Sequence, residues 1–199
     1  MHILGILGGV ASGKSLVAGQ LERLGAGVLD ADRAGHEVLR MPEVEQAARE
    51  RWGEAVFGPD GHIDRRKLAA VVFAPPPKGP GERRFLEELT HPRICRVLEE
   101  EANGLAAAGF PAAVLDAPLL LEAGWDTLCH RLILVDAPRQ LRLARALARG
   151  WSEREFAGRE GVQESLDSKR KRADVVVDNS GSPEETQAQI ERLWPSLIG

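Results

Sequence analysis

The sequence predicts an α/β fold, a five-stranded parallel sheet flanked by helices. Three observations carry that expectation. Short apolar segments recur along the chain, and each is followed by a stretch with helical spacing. These segments are nearly continuous in Val, Leu and Ile, which suits strands covered on both faces. Four of them end in Asp, so carboxylates gather at the strands' carboxyl ends, where an open parallel sheet binds its ligands.

In chain order, His2–Leu7 reads as the first strand and Lys14–Leu24 as a helix entered through a glycine-rich turn. The segments Gly27–Asp30 (GVLD), Ala112–Asp116 (AAVLD), Arg131–Asp136 (RLILVD) and Asp174–Asp178 (DVVVD) read as further strands. Between Asp32 and Gly109 there are helical signals and no convincing core strand, which predicts a helical insertion. Within it, Ala74–Gly81 (APPPKGPG) reads as a proline-rich loop. A second departure, Gly150 to about Lys171, is polar, charged and helical in pieces. The expected division is therefore a core of residues 1–31, 110–149 and 172–199, an insertion of residues 32–109, and a separate segment of residues 150–171.

The 199 residues suffice for one domain with insertions and a core that needs no staples. A net charge of −4 gives no general reason to expect nucleic acid or an anionic membrane as partner. Cys95 and Cys129 lie far apart without metal or redox spacing, and read as thiols of a reducing cytosol. The apolar start lacks a basic leader and runs straight into GKS, and no apolar run reaches the ~20 residues of a membrane span. A soluble cytoplasmic protein is the expectation; a monomer is expected, with an oligomer left open.

Gly8–Ser15 (GGVASGKS) matches GxxxxGKS, the phosphate-binding loop, behind a predicted strand and ahead of a predicted helix. Its glycines let the backbone wrap phosphate oxygens with N–H groups, and the following helix turns its positive end to the same anion. A chance match has odds on the order of one in several hundred, so a bare glycine turn is the weaker reading. Gly9, Val10, Ala11, Ser12, Gly13, Lys14, Ser15 and Leu16 form the expected nucleotide-binding stretch of a P-loop NTPase fold. Lys14 supplies a mobile cation for the β and γ phosphates, and the Ser15 hydroxyl is an Mg²⁺ ligand.

Asp32-Arg-Ala-Gly35 formally matches the DxxG of GTPase switches, but no NKxD follows to select guanine. A kinase is the better reading. In Leu29-Asp30-Ala31-Asp32 the two carboxylates would project alike from an extended backbone, and one could take an acceptor hydroxyl's proton. Helix capping is the plain alternative for Asp32; its place at the ligand edge beside the loop favours catalysis.

The chain closely resembles the dephospho-CoA kinase family, from Gly5 to about Ile190. The blocks that carry the likeness are GILGGVASGKS (5–15), LDADRAGHEV (29–38), THP (90–92), DAPLLLEAGW (116–125), QLRLARALARG (140–150) and REGVQ…K…ADVVVDNSGS (159–182). The resemblance implies transfer of the ATP γ-phosphate to the ribose 3′-hydroxyl of dephospho-CoA, with Mg²⁺. It makes Asp32 the catalytic base, the insertion the CoA-binding domain, and residues 150–171 a mobile lid. It puts His91 at the acceptor site, although Pro92 would equally suit the first turn of a helix that Thr90 and His91 open. It implies Asp116 as a water-mediated Mg²⁺ ligand, with Leu119, Leu120 and Glu122 lining the acceptor cleft; for the two leucines, core packing competes. Leu121 stands where the family carries an aromatic.

Arg142, Arg145 and Arg149 share one helix face. The resemblance falls on Arg145, as a catalytic residue, and on Arg149, as a nucleotide-binding one; with Arg159 they border the lid, and an arginine reaching the γ-phosphate would stabilise charge in the transition state. Gln163 and Lys169 match lid positions without an assigned role. Asn179 resembles the edge of the adenine pocket, and a turn residue in DNSG is an equal reading. A nucleoside monophosphate kinase would share core and lid, but Asp32 would repel its anionic acceptor. An alcohol acceptor is favoured.

Overall fold

The computed structural model describes residues 1–199 and resolves two compact units, Met1–Asp30 with Glu100–Gly199, and Ala31–Glu99. The first unit holds a five-stranded sheet in the order β2-β3-β1-β4-β5, all neighbours parallel. The strands are β1 (His2–Gly8), β2 (Gly27–Asp30), β3 (Ala112–Asp116), β4 (Arg131–Asp136) and β5 (Val175–Asp178). Each lies within a residue of its expected bounds. Asp174 falls outside β5 yet continues the pairing, its carboxylate accepting the Leu132 N–H at 2.7 Å.

Helices α1 (Lys14–Arg23) and α9 (Pro183–Ile198) cover one sheet face. There Leu4, Ile6, Val17, Leu21, Val114, Ile133 and Ile190 close a core from which water is excluded. The register sets Ile6 and Asp30 on either side of Asp116, and Asp136 beside Asp178. The carboxyl ends are thereby aligned, with the glycine loop leaving β1 in the middle. This is the crevice where parallel α/β sheets bind ligands.

The second unit contains α2 (Ala31–Val38), α3 (Pro42–Trp52), α4 (Arg65–Val72) and the first part of α5 (Lys78–Ala107). Its core gathers Ala48, Val56, Phe57, Leu68 and Val72. Its one β pairing is the isolated bridge Phe57–Ile63. Glu82 ties α3 to α5, accepting two bonds from Arg51 at 2.9 Å and one from the Trp52 indole at 2.7 Å. The unit stops at Glu99, short of Gly109. The last part of α5 belongs to the sheet-bearing unit, where Leu105 packs onto Gly27 so closely that a Cβ there would lie 2.6 Å from it.

Two expectations are corrected in α5. The loop reading of residues 74–81 holds only to Pro77, because α5 starts at Lys78. Pro80 sits in the first turn, where its missing N–H has no intrahelical acceptor to lose. Pro92 does not open a helix either: it lies inside α5. Such a proline frees a carbonyl one turn back and bends the helix. Polar side chains take up neighbouring carbonyls, the Thr90 hydroxyl donating to Leu86 at 2.8 Å and Arg93 to Leu89 at 2.5 Å.

Residues 150–171 are no separate compact body. They form α7 (Glu153–Glu160), opened by a Ser152–Glu155 capping box, and the start of α8 (Leu166–Arg172). Fully buried Phe156 packs with Val10 of the loop and with Ala146 of α6 (Arg139–Ala148).

Leu4 is fully buried in the central strand. Leu4→Ala is expected to cost about 2–5 kcal/mol. A urea titration should show a lower midpoint at unchanged slope.

Candidate active site

Between Gly8 and Lys14 the chain turns from strand to helix through a loop with two left-handed residues, Ala11 (φ 58°) and Gly13 (φ 101°). Ser12 closes the turn by donating its N–H to the Gly9 carbonyl at 3.1 Å. Gly13 serves as N-cap of α1 without a capping side chain, so the first amides of the helix face outward, as an anion needs them. A Cβ at Gly13 would collide with the Asn179 amide, so glycine is required there for clearance as well as for φ.

Three side chains hold this loop. Arg145 donates to the Ser12 carbonyl at 3.2 Å and to the Asn179 carbonyl at 2.8 Å. Asn179 donates to the same Ser12 carbonyl at 2.7 Å, and its own oxygen accepts the Thr186 hydroxyl at 2.8 Å. Arg142, 3% exposed, donates to Val10 at 3.2 Å and to Ala137 at 3.1 Å. The remaining face of its guanidinium pairs with Glu160 at 2.9 Å. Burial raises the Glu160 carboxyl, but its bonds to Arg139 and Arg142 outweigh that and leave it below the ordinary carboxylate range. Arg149, in contrast, is exposed at the end of α6.

Lys14 lies at the first position of α1, its Nζ 3.4 Å from the Gly8 and Gly9 carbonyls. Burial pushes its pKa down, Asp116 pulls it up, and Lys169 and Arg142 push it down again. Asp116 at the end of β3 is therefore an electrostatic neighbour of the loop lysine. Ser15 is exposed and Leu16 half-buried on the first turn, while Ser12 is buried with a hydroxyl that has no hydrogen-bond partner. That hydroxyl and the outward amides are donors suited to phosphate oxygens.

The segment after β3 forms the other wall. Leu120 is buried, Leu119 half-buried, and a cleft is lined by Gly8, Lys14, Pro118, Leu120, Glu122 and Lys169. Gln163 donates to the Pro118 carbonyl at 3.2 Å, and Glu122 accepts the Glu164 N–H at 2.6 Å. Lys169, 2% exposed, donates to Gln163 at 3.2 Å and stands 3.7 Å from Glu122. Ion pairs Arg170–Asp136 and Arg172–Asp126 fix α8 further.

Asp32 and His91 belong to the second unit. Asp32 is exposed in the first turn of α2, which starts at Ala31. Its backbone is helical, so the expected extended pairing with Asp30 is replaced. His91 lies inside α5, half-buried; burial lowers its pKa, Glu87 raises it and Arg83 lowers it.

Residue types alone missed Arg142 as a support of the loop and gave no role to Lys169 or Thr186. The signal for Arg142 was its place one turn before Arg145; for the other two only burial shows it.

A family model described as dephospho-CoA kinase matches residues 2–185. A protein of Symbiobacterium thermophilum named dephospho-CoA kinase is 40% identical, the match covering all of this chain and 82% of that one. A Geobacter sulfurreducens protein of the same name is 39% identical over 98% of both chains. The crystal structure of TT1252 from Thermus thermophilus superposes with a TM-score of 0.80 at 37% identity, covering 100% of this chain and 98% of that one.

The lowered pKa of Lys14 carries a sign for stability. Between its folded-state value and the ordinary 10.5 the unfolded chain binds the proton and the folded chain does not. Stability therefore rises with pH across that window, and at neutral pH the buried ammonium is a cost. Lys14→Met is expected to melt at an equal or higher temperature than the parent at pH 7, and to lose part of the alkaline gain. Its turnover should fall by at least ~10²–10³, the loss seen when a donor to a transition-state oxyanion is removed. Calorimetry from pH 7 to 10 and a turnover assay on one preparation check both.

Proposed function

The chain belongs to the dephospho-CoA kinase family, and from that premise we propose how its residues divide the phosphorylation of dephospho-CoA by ATP. The reaction is a phosphotransfer to an alcohol: the γ-phosphoryl group passes to the ribose 3′-hydroxyl, giving coenzyme A and ADP. The observation that carries the residue assignment is the loop of Gly8–Ser15, propped at the Ser12 carbonyl by Arg145 and Asn179 beside the Asp116 end of β3.

In this reading the stretch Gly9 to Leu16 receives the phosphate chain through the amides its own turn leaves free and through the Ser12 hydroxyl. Lys14 leaves the Gly8 and Gly9 carbonyls, to which it is bound at long distance, for the stronger acceptors on the β and γ phosphates. Arg145 keeps the loop in its binding shape and brings positive charge to the nucleotide, with Asn179 at the nucleotide's edge. Arg149, exposed at the end of α6, is assigned to the nucleotide as well.

The donor set fits Mg²⁺. Ser15 offers an exposed hydroxyl one residue from Lys14, and Asp116 a carboxylate in the electrostatic field of that lysine. One hydroxyl ligand and a carboxylate reached through water suit an ion that keeps several waters and takes its other ligands from phosphates. Bound there, the ion would neutralise charge on the phosphate chain.

Asp32 is assigned as the base that accepts the 3′-hydroxyl proton. The γ-phosphorus gains a bond to that ribose oxygen and loses its bond to the bridging oxygen, which leaves with the electron pair on ADP. His91, Leu119, Leu120 and Glu122 are assigned to the acceptor, and the Ala31–Glu99 unit to its CoA-like body. Residues 150–171 act as a lid that excludes water from the phosphoryl group. No helix is long and apolar enough to cross a membrane. A cytoplasmic monomer that binds no nucleic acid completes the proposal.

With ATP, Mg²⁺ and dephospho-CoA, the purified protein is expected to form coenzyme A far faster than it phosphorylates AMP, shikimate or pantetheine. A preference for AMP would overturn the acceptor assignment. For Asp32→Asn the chemical step should slow by ~10²–10⁴, nearer the lower end because a loose transition state needs little base assistance. ATP affinity should be unchanged. A single-turnover rate within a few-fold of the parent would leave Asp32 without a role as base.

A further inference from the structure

Lys169 is the one lysine whose side chain is as enclosed as a core leucine, and the assignments above give it no task. It enters from α8 into a space lined by Lys14, Gly8, Pro118 and Glu122 that is too tight for a water molecule, so an anion could reach its ammonium only if these side chains shift. An ammonium carries three donors. Gln163 accepts one at 3.2 Å, while Glu122 stands at 3.7 Å, ion-pair but not hydrogen-bond range. The same Glu122 oxygen is already engaged by the Glu164 amide at 2.6 Å. The cation is thus enclosed and neutralised, yet incompletely bonded.

A side chain needed only to fill this space would do better without a charge, since a buried ion pair rarely outcompetes well-packed apolar groups. Nor is the position electrostatically indifferent. Burial lowers the pKa of Lys169, Glu122 and Glu164 raise it, and Arg142 lowers it again, while Lys169 and Arg142 in turn lower the pKa of Lys14. With Arg142 taken up by Glu160, the two lysines beside the loop keep donors that an incoming anion's oxygens can use.

We propose that Lys169 is a second phosphate-contacting lysine, a catalytic residue that meets the γ-phosphoryl oxygens opposite Lys14, and that Glu122 and Gln163 hold its ammonium beside the loop until the nucleotide arrives. This rests on the reading of the site as one that transfers a phosphoryl group from ATP. Lys169 takes no proton and forms no covalent bond. The bond from the γ-phosphorus to the ADP bridging oxygen breaks with its electron pair on ADP. The bond to the incoming oxygen, of the ribose hydroxyl or of water, forms as that oxygen's proton passes to Asp32 or to solvent. Lys169 donates to the equatorial oxygens throughout, so its effect does not depend on which acceptor attacks.

That independence supplies the test. The parent, Lys169→Met and the double variant Lys169→Met/Glu122→Gln are compared in two assays, coenzyme A formation and slow hydrolysis of ATP without acceptor. Melting temperature and ATP affinity are measured alongside. Lys169→Met should slow both reactions by ~10²–10³ with ATP affinity within a few-fold of the parent. If the lone Glu122 charge lowers the melting temperature of the single variant, the double variant should regain it and still hydrolyse ATP slowly. Hydrolysis by the double variant within a few-fold of the parent would overturn the proposal, since Lys169 would then only neutralise Glu122. A parent that hydrolyses ATP without forming coenzyme A would remove the acceptor reading alone, and the hydrolysis ratio would still decide Lys169.

Discussion

One carbonyl, that of Ser12, carries the geometry of the whole site. It accepts from Arg145 of α6 and from Asn179 behind β5, two groups more than thirty residues apart in sequence. A glycine-rich turn has no preferred shape of its own, because its residues reach many backbone wells at little cost. Anchoring a single oxygen from two directions removes that freedom. The left-handed turn at Gly13, the outward amides of α1 and the direction of Lys14 follow from it. Thr186 extends the constraint by holding the Asn179 oxygen, which fixes which end of the amide faces the loop. The sheet matters here chiefly as a ruler: β5 stands two places from β1, with β4 between them, and so delivers Asn179 at the distance the loop requires.

The second organising fact is electrostatic. Lys14, Arg142 and Lys169 are enclosed near one another, and each would be unfavourable alone. Carboxylates placed by different elements make the arrangement tolerable: Asp116 from β3, Glu122 from the following turns and Glu160 from α7. These compensations are not equal. Glu160 meets Arg142 at 2.9 Å, a close charge-assisted bond, whereas Glu122 meets Lys169 at 3.7 Å. Arg142 is thus fixed as part of the frame, and the lysines retain donors.

The strands were legible in the sequence because a buried parallel strand writes itself as a run of Val, Leu and Ile, with nothing else required. The phosphate loop was legible because its chemistry demands particular residues at particular spacing. The α5 region was not. Lys78-Gly79-Pro80-Gly81 contains every residue that ordinarily stops a helix, and only position in the first turn makes them compatible with one. Pro92 misled for the opposite reason: its local meaning is helix start, while the long α5 absorbs it with carbonyls taken by Thr90 and Arg93. For Asp32, the helix starting at Ala31 replaces the extended backbone on which the pairing with Asp30 relied. Lys169 sits in the run LDSKRKR, where the resemblance gives it a lid position and no role. Its burial depends on contacts with Gln163 and Glu122, which no local pattern encodes.

The segment of residues 150–171 joins these threads. Its composition reads as polar, charged and helical in pieces, but one aromatic, Phe156, is fully buried against Val10 and Ala146. The same Phe156 ring lies 5.7 Å from the Arg142 guanidinium, which also bonds the Val10 carbonyl and Glu160. Loop and segment therefore share one hydrophobic contact and one cation. Moving α7 away would expose Phe156 and strip Arg142 of Glu160 together, and both losses would be felt at Val10. A group that brings negative charge to Gly9 and Val10 acts on the same cation from the other side, because Arg142 Nη1 would lie 2.7 Å from a Cβ at Gly9. Segment and loop thus share a single guanidinium, which pairs with Glu160 on one side and bonds the Val10 carbonyl on the other.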